Sequence, residues 1–215
     1  MGEVSDRATG MLETMARMQD EHNCQVHADW RLQGYAYYRA IWVECAEMLD
    51  HFGWKWWKKQ APDLDQVKLE LVDIWHFALS ELLRADNLGE EVAQRLALVR
   101  PAAGDGEAFR LAIEELAEMS LKTRSFEIEP FIAAMENLPL SYEELFSLYI
   151  GKNVLNRFRQ DHGYKEGTYR KTWHGREDNE HLIELINHLS VPPDELPGTL
   201  YDALASRYRE IAQVS

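Results

Sequence analysis

Apolar residues recur every three to four positions along most of this chain, the spacing that gathers them onto one side of an α-helix. Tyr37, Ile41 and Met48 share such a stripe with Glu44, predicting a helix over residues 35–51 that Gly53 ends. Pro62 and Asp63 open a second helix, in which Val67, Leu71, Ile74 and Ala78 repeat the stripe to residue 83. The short connection FGWKWWKKQAP makes these two helices antiparallel neighbours. Further helices are predicted over 11–23, 107–122 and 141–159, the last opened by Ser141 and Glu144 as a capping box. The tail reads as a Pro-rich turn followed by a closing amphipathic helix suited to packing or dimer contact. Helical signal is weakest through DNLGEEVAQRLALVRPAAGDG, so a mobile part over about 86–140 is expected within a single helical domain of residues 1–215. No window alternates with period two between turn signals, and the expected fold is an all-α helical bundle.

The two strongest helices carry acids beside their apolar stripes. Glu44 with Glu47, and Glu70 with Asp73, each stand at i,i+3 and so share a helix face. One such pair is ordinarily a solvated face, because buried acids are rare. Two pairs on facing helices read differently: converging carboxylates repel one another, and burial raises their pKa values unless a cation neutralises them. Oxygen-only ligands favour Mg²⁺ or Mn²⁺ over zinc. The acids Glu114, Glu115 and Glu118 are more numerous but are expected to form a surface face.

Composition narrows the reading. With 215 residues, 46% hydrophobic and 28% charged, the chain is long enough for one sizeable core. Its 23 Lys and Arg against 37 Asp and Glu leave a net charge of −14, which argues against a general nucleic-acid or membrane-surface binder. The two cysteines, Cys24 and Cys45, form no disulfide framework and fit a reducing cytoplasm. MGEVSDRATG has no apolar signal core, and no stretch nears the roughly 20 apolar residues of a membrane span.

Two further segments suggest a ligand. Trp54, Trp56 and Trp57 crowd the connection with Lys55, Lys58 and Lys59. Tryptophans in a turn usually staple helices, but an exposed indole beside a metal site is a platform for a flat heterocycle. His76 and Phe77 of the second acidic helix belong to the same neighbourhood. Downstream, Lys152, Asn156 and Arg159 share a helix face, followed by a loop bearing Tyr164, Lys165, Tyr169 and Lys171. This glycine-flanked cationic segment in an acidic chain suggests a lid over a polyphosphate.

RAIWVECAE, the GWKWWKK turn, ELVDIWHF and GKNVLNRFRQDHGYKEGTY together resemble the dimeric dUTPases, members of the all-α NTP pyrophosphatase superfamily, over about residues 19–179. The resemblance implies a homodimer with a rigid core and a moving part, converting dUTP to dUMP and pyrophosphate and dUDP to dUMP and phosphate. It implies that Glu44, Glu47, Glu70 and Asp73 hold two or more Mg²⁺ ions, with Mn²⁺ as a substitute, and that Glu47 or Glu44 is the base for the attacking water. Gln19, Asn23, Trp57 and His76 match the uracil pocket, Lys152, Arg159, Tyr164 and Lys171 the phosphate-binding groups, and Asn156 the deoxyribose contact. Two alternatives stay open: a MazG-like or dCTP-directed pyrophosphatase sharing the carboxylate cage, and a non-catalytic helical binding protein.

Overall fold

A computed structural model describes residues 2–102, 105–191 and 195–212. The described residues are overwhelmingly helical, as the apolar spacing predicts, and divide into two compact units, residues 1–146 and 147–215. No helix among the described residues is long and apolar enough to cross a membrane.

The first unit is organised by α2 (Tyr37–Phe52) and α3 (Leu64–Ala85). They pack along each other, and α1 (Gly2–Val26) and α5 (Gly106–Thr123) add further layers. Ile41, Cys45, Met48 and Phe52 form the buried stripe of α2. α3 is buried nearly all round, with Val67, Leu71, Ile74, Trp75 and Ala78 fully enclosed. Trp75 stacks on Phe131 at 5.2 Å, and Phe126 closes edge-on against both rings. Phe131 lies on α6 (Ile128–Asn137), which the sequence pattern did not predict. Its Pro130 falls in the first turn, where the missing N–H would have no intrahelical partner. α4 (Glu90–Ala97) packs on α1 within the stretch where the helical signal is weakest.

The connection between α2 and α3 is tied at both ends. Asp63 N–H donates to the His51 carbonyl at 3.0 Å, bringing the end of one helix to the start of the next and making them antiparallel. Asp63 also caps α3 by accepting from Gln66 N–H. Gly53 ends α2 at φ +92°, where a Cβ would lie 2.9 Å from that of Gln60. Its carbonyl accepts two bonds from Arg110 of α5, at 3.0 and 2.8 Å. The corner thus has a defined shape despite its run of large side chains.

α7 (Tyr142–Asp161) contains the boundary between the units. At its start Glu144 N–H donates to Ser141 Oγ, the first half of the expected capping box, while the Glu144 carboxylate is engaged by Lys68 at 2.5 Å. In the second unit a hairpin of β1 (Thr172–Trp173) and β2 (Arg176–Glu177) leads into α8 (Asp178–His188). α9 (Leu196–Ala212) then packs on α8, bearing out the closing helix of the tail. Residues 192–194 of the expected Pro-rich turn lie outside the described residues. Phe158 and Trp173 centre this unit, ringed by His162, Tyr169, Tyr201 and Tyr208.

Candidate active site

The stripe that buries Ile41, Cys45 and Met48 brings Glu44 to the α2–α3 seam, and the i,i+3 step brings Glu47 beside it. From α3 comes Glu70, itself buried. One carboxylate oxygen from each of Glu44, Glu47 and Glu70 lies within 4.8 Å of the other two. Asp73 stands outside this trio, but its charge acts on Glu44 more strongly than that of either glutamate. Burial foremost, then Asp73, Glu70 and Glu47, push the Glu44 carboxyl up to about 8, and a hydrogen bond with Glu70 adds to the effect. His51 Nε2 approaches Glu70 at 3.6 Å, a weak counter-charge only when protonated.

This donor set fits a hard divalent cation. Two oxygens on opposite sides of one Mg²⁺, bonded at about 2.1 Å, stand about 4.2 Å apart. Carboxylates within 4.8 Å of one another therefore lie near ligating distance. The proton that burial and like-charge crowding retain on Glu44 marks the positive charge the cluster lacks.

A second cluster joins α1 to α3. Gln19 and Asn23, one turn apart and buried, meet Ser80. Gln19 Nε2 donates to Ser80 Oγ and to Asn23 Oδ1, both at 3.1 Å, and Asn23 Nδ2 donates to Ser80 Oγ at 2.9 Å. Ser80 Oγ donates in turn to the His76 carbonyl at 3.0 Å. His76 Nδ1 lies 2.9 Å from the Val72 carbonyl, which can only accept, so Nδ1 carries the proton. Burial raises the Tyr37 phenol, against a hydrogen bond with Ser80. Two of the expected base-pocket residues, Gln19 and Asn23, are thus in direct contact, with His76 one turn along α3 from the serine they share.

Trp57 sits apart from that network. It is more than half exposed and makes edge contacts with Trp54 at 5.3 Å and Trp56 at 5.4 Å. The corner tryptophans therefore leave much of their indole surface in water instead of stapling helices. Gln60 Oε1 accepts from the N–H groups of Trp54 and Lys55, and Lys55 is paired with Asp50 at 2.6 Å. Glu114, Glu115 and Glu118 are exposed, as expected of a surface face.

In the second unit, Arg159 is buried and forms a two-pronged pair with Asp178, Nε and Nη2 each donating at 2.8 Å. Asn156 and Asn179 accept further bonds from it, Lys152 reaches Asn179 at 3.4 Å, and Tyr169 donates to Asp178 at 2.8 Å. Tyr164 and Lys171 are exposed. The segment after α7 is a loop, as expected, and turns on backbone hydrogen bonds: Tyr164 N–H donates to the Arg159 carbonyl and Thr168 N–H to that of Gly163. Gly163 is required there, since at its φ of +88° a Cβ would lie 2.0 Å from Thr168 Oγ1.

Ser80 and Asp178 were missed by sequence reasoning. Ser80 follows His76 by one helical turn, a usable signal, whereas no local pattern links Asp178 to Arg159.

A family model described as dUTPase matches residues 11–164, most of the chain. No curated protein matches it. The matched span includes α2 and α3 with all four acids, the α1 amides and the whole of α7, and the chain belongs to the all-α dUTPase family, whose activity is that of a dUTP diphosphatase.

Proposed function

We propose that the chain hydrolyses dUTP to dUMP and pyrophosphate, and dUDP to dUMP and phosphate, by water attack assisted by divalent cations held on α2 and α3. The observation that carries this reading is the trio of carboxylate oxygens within 4.8 Å, with Glu44 pushed up to about 8 among four acids. Glu44, Glu47, Glu70 and Asp73 would hold Mg²⁺ in two or more positions, or Mn²⁺ in its place. Bound there, the cations supply positive charge against the phosphate oxygens and favour ionisation of the attacking water.

The chain's own groups divide the remaining work. Glu47 is the most exposed of the cluster, so solvent reaches it most readily, and it is assigned as the base that takes the proton of the attacking water, with Glu44 the second choice. Gln19, Asn23 and His76 are assigned to the base, and Trp57 to its face by stacking. Lys152, Arg159, Tyr164 and Lys171 are assigned to phosphate and Asn156 to the deoxyribose. A homodimer, residence in the cytoplasm and a moving part within about 86–140 complete the reading, all carried by the family resemblance and composition. The test is a panel of nucleoside di- and triphosphates incubated with purified protein and Mg²⁺, with products separated by ion exchange. dUMP from both dUTP and dUDP is expected, and a chain that prefers dCTP would replace this reading by the dCTP-directed one.

A further inference from the structure

We propose that Ser80 fixes which hydrogen-bonding edge Gln19 and Asn23 offer to the nucleobase, making it a positioning residue for the choice of uracil over cytosine. The proposal rests on the assignment of the two amides to the base, made above.

Ser80 has one proton to give, and its helical position directs that proton to the His76 carbonyl one turn back, at 3.0 Å. Its other partners are the Tyr37 hydroxyl and two side-chain amides, and with the serine proton on the carbonyl its oxygen can only accept from them. Two amide nitrogens donate to it, Gln19 Nε2 at 3.1 Å and Asn23 Nδ2 at 2.9 Å. Turning either amide over would set a carbonyl oxygen against an oxygen with no proton left to share. At 1% exposure Ser80 has little water to make good that loss.

The consequence is a defined pattern. Gln19 Nε2 spends its second proton on Asn23 Oδ1 at 3.1 Å, so toward a ligand this amide can act only through Oε1, as an acceptor. Asn23 Nδ2 has a second proton outside the Ser80 bond and can donate. An acceptor beside a donor matches the N3–H and a neighbouring carbonyl of uracil. Cytosine presents the reverse, an unprotonated N3 beside an amino group, and would set acceptor against acceptor and donor against donor. Without the serine hydroxyl both amides can turn over, and the reversed pattern becomes available.

The experiment measures kcat and KM for dUTP and dCTP, and dUMP and dCMP affinity without metal, in wild type, Ser80→Ala and Ser80→Thr. Ser80→Ala is expected to lower the dUTP:dCTP ratio of kcat/KM by roughly tenfold or more, chiefly through KM, and to narrow the dUMP–dCMP gap similarly. Ser80→Thr keeps the hydroxyl and is expected to hold the ratio within about threefold of wild type. If the alanine variant does not fold, Ser80→Cys, close in size but a far weaker hydrogen-bonding partner, is read by the same criterion. A folded Ala or Cys variant with wild-type discrimination overturns the role of Ser80. A wild-type protein that does not distinguish dUTP from dCTP overturns the base assignment itself, and this inference with it.

Discussion

Glu44 and Arg159 are both ionisable side chains drawn largely out of water, yet one sits among acids of its own kind and the other beside its opposite charge. Glu44 is held up to about 8 by burial and by Asp73, Glu70 and Glu47. Arg159 has Asp178 on Nε and Nη2, Asn156 on Nη1, and Asn179 sharing Nη2. A cluster of like charges is unfavourable alone and gains from a cation, whereas a satisfied pair gains from a new anion only by exchanging or sharing its partner. The acids are therefore built to take up charge directly. The arginine can meet phosphate only in competition or in concert with Asp178.

Breaking the acidic side of the comparison should have the largest effect. Glu44→Gln or Asp73→Asn is expected to lower kcat/KM for dUTP by about 10³ or more while circular dichroism stays unchanged, because each removes a charge that only the loaded site uses. A loss below tenfold in both would separate the cluster from the chemistry.

On the cationic side, Arg159→Ala should lower kcat/KM by about 10²-fold and also destabilise the protein by about 3 kcal/mol, since buried Asp178 loses its counter-charge and keeps only neutral donors such as Tyr169. Asp178→Asn sharpens the point. If Asp178 competes with phosphate, this variant should lower KM for dUTP; if the two act as a pair, it should raise KM. No change in either direction would leave the pair a purely structural element.

How far such contrasts can be read without coordinates depends on the separation of the partners. The acids of α2 and α3 were legible because a three-residue step and an apolar stripe are local properties, and Gly53 with Pro62 and Asp63 marked the corner between them. Ser80 binds Gln19 across 61 positions and Arg159 binds Asp178 across 19, separations on which periodicity is silent. α4 was missed because it has only 8 residues, and α6 because Pro130 reads as a breaker where it in fact occupies a first turn. The hairpin of two-residue strands is too short to alternate. The lysine, arginine and asparagine of α7 were legible as one face, but their being already engaged was not.

A smaller effect is expected at the corner. Trp57→Ala should raise KM for dUTP by about tenfold, from the 1 to 3 kcal/mol of base stacking, with little change in stability because the indole is largely exposed. An unchanged KM would remove Trp57 from the base pocket and leave it a surface side chain.

The smallest effect is a pH dependence of stability. The folded pKa of Glu44 is raised from 4.5 to about 8, so the native state holds the extra proton between those values, and its stabilisation is lost as pH rises through them. Cation binding relieves that penalty. Mg²⁺ should therefore raise Tm by a few degrees more at pH 8 than at pH 6, as read by scanning calorimetry, and Glu44→Gln should erase the difference. An equal Mg²⁺ shift at both pH values would mean that Glu44 is not where the ion acts.

The central claim, that the acids of α2 and α3 work only with a divalent cation, is tested most directly by dUTP turnover of the wild-type protein in Mg²⁺ and in excess chelator. Turnover is expected to fall to background in chelator and to return when Mg²⁺ or Mn²⁺ is restored. Undiminished hydrolysis in excess chelator would contradict it.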